Sequence, residues 1–358
     1  MSLALSGAGG GSAHRVYRRR QRRRLLRIAA AALLLALLLF ADLVTGPSPL
    51  SAGEALAALW AGPDGENRAA AVILWSLRLP MALMGALVGM SLGAAGLQMQ
   101  TILDNPLASP FTLGFSAAAG FGAALAIMFG AAVPLAGWLL APLAATLATL
   151  LACGLVYLMT RLRGANREVL VLGGIAVLFL FQALQLLLQY LAAPEVLQQI
   201  VFWLFGSLAK ATWTGVAVVA AVLALCLPLL ARDCWRLTAI RLGEGHARSL
   251  GVEVQALRRR TFLVTALLTA AAVAFVGTIG FVGLVAPHAA RALVGEEQRS
   301  LLPLSALIGG VMLVAASVAA KVAAGGAALP VGIVTALVGV PILFWLVLRR
   351  GSGGWTGG

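Results

Sequence analysis

Few side chains in this sequence could do chemistry, and their spacing excludes most reaction classes. Neither of the two lysines, Lys210 and Lys321, follows a glycine. The chain therefore lacks the Gly-rich loop ending in Gly-Lys that cradles nucleotide phosphates. Cys153, Cys226 and Cys234 form no Cys-x-x-Cys pair, and His14, His246 and His288 share no ligand spacing. No metal site and no cofactor is expected on that pattern. Asp42 and Asp104 stand at the ends of apolar runs, while Asp64, Asp233 and all eight glutamates fall in the segments between them or at their edges. Ion-coupled carriers usually bury a carboxylate within the membrane, so this arrangement weakens that reading and favours an energy source in a partner. Gln182, Gln185 and Gln189 recur at i, i+3 and i+7 in an apolar stretch, which puts them on one helix face. That face looks either into a wet pathway or into interhelical hydrogen bonds, because an amide facing hydrocarbon is costly. His288 follows Pro287 with no acid near it in sequence, and reads as a structural histidine rather than a proton carrier.

The elements that position these residues follow from composition. The chain is 61% hydrophobic and 11% charged, with a mean hydropathy of +0.99. A soluble domain carries about 25% charged residues, so lipid must solvate much of this surface. The apolar runs lack the period-2 alternation of barrel strands and are long enough for helices, which need roughly 20 apolar residues to span. The expected fold is an all-α polytopic membrane protein of about ten helices, over 25–45, 80–103, 111–130, 135–160, 169–192, 213–231, 261–279, 281–294, 301–322 and 331–348. The eighth is too short to cross untilted and is expected to be short or partly re-entrant. Gly89, Gly93, Gly96, Gly173 and Gly174 read as close-packing positions. Residues 1–24 read as a disordered basic cytoplasmic tail, residues 25–350 as one transmembrane domain, and residues 351–358 as a flexible tail. The first apolar run ends without a small-x-small cleavage site and reads as an uncleaved helix.

Charge sets the orientation. With both termini cytoplasmic, 22 of the 26 Lys and Arg residues fall in cytoplasmic segments, leaving Arg68, Arg78, Lys210 and Lys321 outside. The net charge of +14 follows from this bias, and no basic stripe interleaved with aromatics suggests nucleic acid. The largest cytoplasmic loop, 232–260, contains GEGHARSLGV, a short amphipathic helix between glycines. On pattern alone it reads either as a lever lying on a partner ATPase or as an ordinary solvated loop helix.

Five blocks in order resemble the iron-chelate and cobalamin permeases of ABC importers. They are LRLPMALMGALVGMSLGAAGLQMQTILDNPLASPFTLGFS (77–116), VFWLFGSLAKATW (201–213), LGEGHARSLGV (242–252), GTIGFVGLVAPHAARALVG (277–295) and LPVGIVTALVGVPILFWLVLRR (329–350). The resemblance implies a permease dimer (homo- or heterodimer), separate ATP-binding subunits, a periplasmic or lipid-anchored substrate-binding protein, and a bacterial inner-membrane location. Its implied cargo is an iron chelate such as a ferric siderophore, ahead of haem and cobalamin. An ion-coupled secondary transporter is the reading from another class.

The resemblance also implies site residues. Asn105 and Leu107 in DNPLASP would form a cytoplasmic gate, with Asn166 and Arg167 beside it, and Gln182, Gln185 and Gln189 would line the pathway. Gly243, Glu244, Ala247, Arg248 and Gly251 would meet the ATPase, and Arg78 and Lys321 would dock the binding protein. The sequence departs from the family's pattern at Met81, Ser317, Lys321 and Ala328, which removes charge the family places on its outer face.

Overall fold

The computed structural model describes residues 9–48, 50–65, 67–130, 137–323 and 329–350. The C-terminal tail 351–358, the first eight residues and Ala328 lie outside the described residues. The rest is helical almost throughout: α1 (Gly9–Val44), α2 (Ala52–Ala61), α3 (Arg68–Ala71), α4 (Leu79–Leu103), α5 (Phe115–Phe129), α6 (Gly137–Arg163), α7 (Arg167–Leu191), α8 (Pro194–Leu204), α9 (Trp213–Arg232), α10 (Cys234–Arg241), α11 (Glu244–Ser249), α12 (Val254–Val276), α13 (Val282–Val294), α14 (Gln298–Ala323) and α15 (Val331–Arg350). Among the described residues, seven stretches are long and apolar enough to cross a membrane, and Phe115–Phe129, Val282–Val294 and Val331–Phe344 are shorter apolar helices. Each apolar run expected from the sequence coincides with one of these ten.

The differences lie at the ends. The basic segment expected as disordered is helical from Gly9 onward and continues into α1. Arginine is a good helix former, and Arg24 pairs with Glu297 while Arg27 donates to the Leu293 carbonyl. The second span begins well before residue 80: α3, a π-helical stretch (Val72–Arg78) and α4 form one 36-residue rod, Arg68–Leu103. α12 starts at Val254, so Arg258, Arg259 and Arg260 sit inside its first turns instead of in a loop. Three short helices were not expected: α2, α8 and α10. α2 is closed by a Ser51–Glu54 capping box, and α8 opens with Pro194 in its first turn.

α4 is the centre of the molecule and is buried along most of its length between α12, α13 and α14. Glycines permit that approach. A Cβ on Gly89 would lie 2.3 Å from the Gly309 carbonyl oxygen, and one on Gly96 would lie 1.7 Å from that of Gly283. Buried polar groups cross the same seam. Gln98 donates to Gln298 at 3.2 Å, Gln298 to Thr101 at 2.8 Å, and Ser305 to the Gly93 carbonyl at 2.8 Å. These bonds lock the register of α4 on α14, because an unpaired amide there would carry its full desolvation penalty.

Candidate functional site

α4 ends at Leu103, two residues before Asn105, the first of the two expected gate positions, and the ending is built from the sequence. Asp104 takes a left-handed conformation (φ 49°, ψ 37°), and its N–H closes the helix onto Gln100 and Thr101 carbonyls. Asp tolerates that conformation better than most residues. Pro106 and Pro110 then prevent the helix from resuming. The Asn105 side chain accepts the Leu107 N–H at 2.9 Å, and the Asn105 carbonyl accepts the Ala108 N–H at 3.1 Å. This Asx turn presents Leu107, 40% exposed, as an apolar side chain at a polar end.

α11 lies beside this turn. Gly243 (φ 116°) and Gly251 (φ 78°) bracket it, in backbone conformations that L side chains rarely adopt. Ala247 is fully buried against the chain's own core, among Leu237, Ile240, Val252 and Leu257. The expectation that Ala247 meets the ATPase is therefore corrected: it seats α11 on this chain. The outward face consists of Leu242, Gly245, His246, Arg248, Ser249 and Leu250.

Between the turn and the short helix runs a chain of ion pairs. Glu244 Oε1 meets Arg258 Nη2 at 2.5 Å and Arg167 Nε at 3.2 Å, and its Oε2 meets Arg248 at 3.6 Å. Arg167 Nη1 also reaches Asp104 Oδ2 at 2.7 Å, and Arg241 Nη1 reaches Asp104 Oδ1 at 2.5 Å. Arg241 continues to Glu296 at 3.3 Å, which pairs with Arg291 at 3.0 Å. The hydrogen bond from Arg258, helped by the charges of Arg258, Arg167 and Arg248, holds the Glu244 carboxyl below its ordinary value against partial burial. An open polar cleft of ≈ 440 Å³ is lined by Asn166, Arg167, Glu168, Glu244 and Arg258. Asn105, Leu107, Asn166, Arg167, Glu244 and Arg248 thus gather at one end of the molecule.

Sequence reasoning missed Asp104 and Arg258 in this cluster. Arg258 is 1% exposed and donates to the Ile102 carbonyl at 3.0 Å and the Ala165 carbonyl at 3.4 Å as well as to Glu244. The signal for Asp104 was its place before Asn-Pro. For Arg258 there was only a run of three arginines, with nothing to mark which turns inward.

The glutamines lie apart from this end, on α7. Gln182 is exposed, while Gln185 and Gln189 are half-buried, and Gln185 packs so closely on Gly120 that a Cβ there would lie 2.4 Å from its amide oxygen. His288 is buried with Nδ1 2.9 Å from the Leu284 carbonyl, a satisfied structural position.

Arg78 and Lys321 require a correction. Arg78 is 4% exposed and donates to the carbonyls of Leu43 (2.7 Å), Val44 (2.9 Å) and Ser48. It satisfies backbone acceptors that α1 leaves open at its C-terminus. Lys321 pairs with the fully buried Asp42 at 2.8 Å and also donates to its carbonyl. Both cations are consumed within the chain and offer nothing to a docking partner. Arg27 and Asp42 are fifteen residues apart on α1, about 22 Å of helix, so this cluster and the Asp104–Glu244 cluster occupy opposite ends.

The comparisons with known proteins fit this architecture. The family model for the FecCD transport family matches residues 33–349. The chain belongs to the FecCD transport family. Among its FecCD relatives, the vitamin B12 import system permease protein BtuC of Vibrio cholerae is 36% identical over 78% of this chain and 83% of its own length. The iron-uptake system permease protein FeuC of Bacillus subtilis is 34% identical over 79% and 85%. A solved structure of an ABC transporter assigned to the metal-chelate type, in an inward-facing conformation, superposes with a TM-score of 0.80. Its sequence is 32% identical, covering 90% of this chain and 98% of that one. This FecCD chain is a multi-pass membrane protein and an ABC importer permease.

Proposed function

We propose that this chain is the pathway-forming subunit of a bacterial inner-membrane importer for a metal chelate, with a ferric siderophore as the first cargo to test. Haem and cobalamin are the second reading, and the likeness to a vitamin B12 permease supports the latter. A separate ATP-binding subunit docks on the outward face of α11, with Gly243, Glu244, Arg248 and Gly251 holding that helix in shape. Asn105 and Leu107 form the cytoplasmic gate, with Asn166 and Arg167 at its side. Gln182, Gln185 and Gln189 face the pathway, and a second permease chain, identical or related, completes it. A substrate-binding protein docks at the far end. Arg68 and Lys210, exposed there and with no ion-pair partner among the described residues, replace Arg78 and Lys321 as its contacts.

The observation that carries this reading is an exposed short helix ion-paired to the turn that ends the central buried helix. A docking helix that touched nothing behind it could not drive a pathway. The test is reconstitution of the chain in proteoliposomes with its co-expressed ATPase and binding protein, supplied in turn with ferric siderophore, haem or cobalamin. ATP-dependent uptake of one of these is expected. Uptake driven by an ion gradient without ATPase, or ATP hydrolysis by the purified chain alone, would overturn it.

A further inference from the structure

Among the described residues, Arg167 is the cation that pairs with both Glu244 on the short helix and Asp104 at the end of α4. We infer that Arg167 is a positioning residue, a mechanical link that makes the turn carrying Asn105 and Leu107 follow any displacement of α11. The inference rests on the proposed function only for the source of the displacement.

The geometry supports a link rather than a static brace. α11 is a single short helix seated through Ala247, with its other face open, so it is free to be pushed. Its acid, Glu244, is held by three arginines. Arg258 is buried and hydrogen-bonded to backbone of both neighbouring segments, and is the fixed pivot. Arg248 is 62% exposed and ends in solvent. Arg167 continues the chain to Asp104. A guanidinium is planar and rigid, so the Nε ion contact to Glu244, which is not a hydrogen bond, and the Nη1–Asp104 hydrogen bond move together when the Arg167 side chain moves. A shift of Glu244 must either carry Asp104 or break one contact. Asp104 lies one residue before the Asx turn, and the Asn105–Leu107 hydrogen bond makes the turn move as a unit. Both carboxylates and Arg167 are about one-third exposed. Such pairs are individually weak, which suits contacts that break and reform in each cycle. Arg241 holds Asp104 from the other side and leads to Glu296, so release of Arg167 frees the turn on one flank only.

The test compares Arg167→Gln, Arg167→Lys, Glu244→Gln and Arg248→Gln in the full-length chain in lipid nanodiscs, by hydrogen exchange over residues 104–110. Ion pairs this exposed change an opening equilibrium by roughly 1.4- to 5-fold. Exchange of the turn should therefore rise by about two- to fivefold in R167Q and E244Q. R167K, which reaches one carboxylate at a time, should fall between them and wild type, and R248Q should match wild type. Unchanged exchange in both R167Q and E244Q overturns the link, as does an equal rise in R248Q. This measurement needs no partner, so it stands or falls apart from the importer reading. In the assembled complex the number read is cargo moved per ATP hydrolysed, expected to drop by about two- to fivefold in R167Q. An unchanged ratio overturns the link, whereas a wild-type chain that binds no ATPase overturns the proposed function instead.

Discussion

At the scale of single residues, the two ends of the molecule use charge differently. The Asp42–Lys321 pair is buried, and breaking such a pair by removing one partner costs about 3–5 kcal/mol, while replacing both with apolar residues is often neutral. Lys321→Met should therefore lower the thermal unfolding midpoint in detergent sharply, and Asp42→Leu/Lys321→Met should recover most of the loss. A double variant as unstable as the single one would show that packing, not charge, governs the site. Glu244 makes a separate prediction through pH. Its carboxyl is held below the ordinary value of 4.5, first by the Arg258 hydrogen bond. A depressed carboxylate stabilises the fold fully above its unfolded pKa, and that stabilisation disappears as pH falls through the folded value. Protection of residues 243–251 against hydrogen exchange, corrected for intrinsic rate, should be flat from about pH 5 to pH 8 and decline only at more acid pH. These two sites also show how far sequence carries. The positions Asn105, Arg167 and Glu244 were singled out by the family resemblance of the blocks that hold them or lie beside them, and the structure gathers them at one end. The fate of Arg78 and Lys321 was not legible, because their partners are set by tertiary packing. Lys321 meets an acid 279 positions away, and no pattern along the chain shows that a charge counted as external is already spent.

At the scale of elements, helix existence was readable from apolar runs, and most boundary errors share one cause. Polar residues were taken as helix ends. In fact Arg258 and Arg68 lie within helices or at their first residue, where backbone acceptors or solvent satisfy their side chains. α2 carries a signal in the sequence too, since SAGE at 51–54 has the spacing of a capping box. The glycine seam gives a graded test. Gly96→Ala places a methyl group 1.7 Å from a backbone oxygen of α13, a clash no side-chain rotation relieves. No monodisperse protein is expected from that variant. Gly283→Ala meets its nearest atom at 3.0 Å and should fold with reduced stability. Gly53→Ala in α2 meets nothing within 4 Å and should stabilise by about 0.5–1 kcal/mol. Fluorescence-detected size-exclusion profiles would rank the three.

At the scale of the whole molecule, orientation is open to direct measurement, because the three native cysteines are all buried and give a quiet background. Cysteine placed at Arg68 or Lys210 should react with a membrane-impermeant maleimide added outside intact cells. Cysteine placed at Ser249 should react only after the membrane is opened. The reverse pattern would invert the topology and move the Asp104–Glu244 cluster away from any cytosolic ATPase. The exposed apolar face of α7, with Leu172, Phe179 and Leu186 each more than 60% exposed, must be covered by lipid or by another chain. Sequence alone could not separate those coverings, because both favour the same side chains.

The seam around α4 has a consequence for the order of synthesis. Gln98 and Thr101 find Gln298, and Gln100 finds Leu284 and Arg291, each across 184 to 200 residues of chain. At translation rates of about 5–20 residues per second, α4 waits roughly 10–40 s in the bilayer before those partners are made. During that interval its amides and its glycine-flattened surface face lipid or a temporary companion. A chain truncated before α13 would keep them in that state permanently. It should be cleared by membrane proteases far faster than one truncated after α14, a difference that a pulse-chase of the two lengths would read directly.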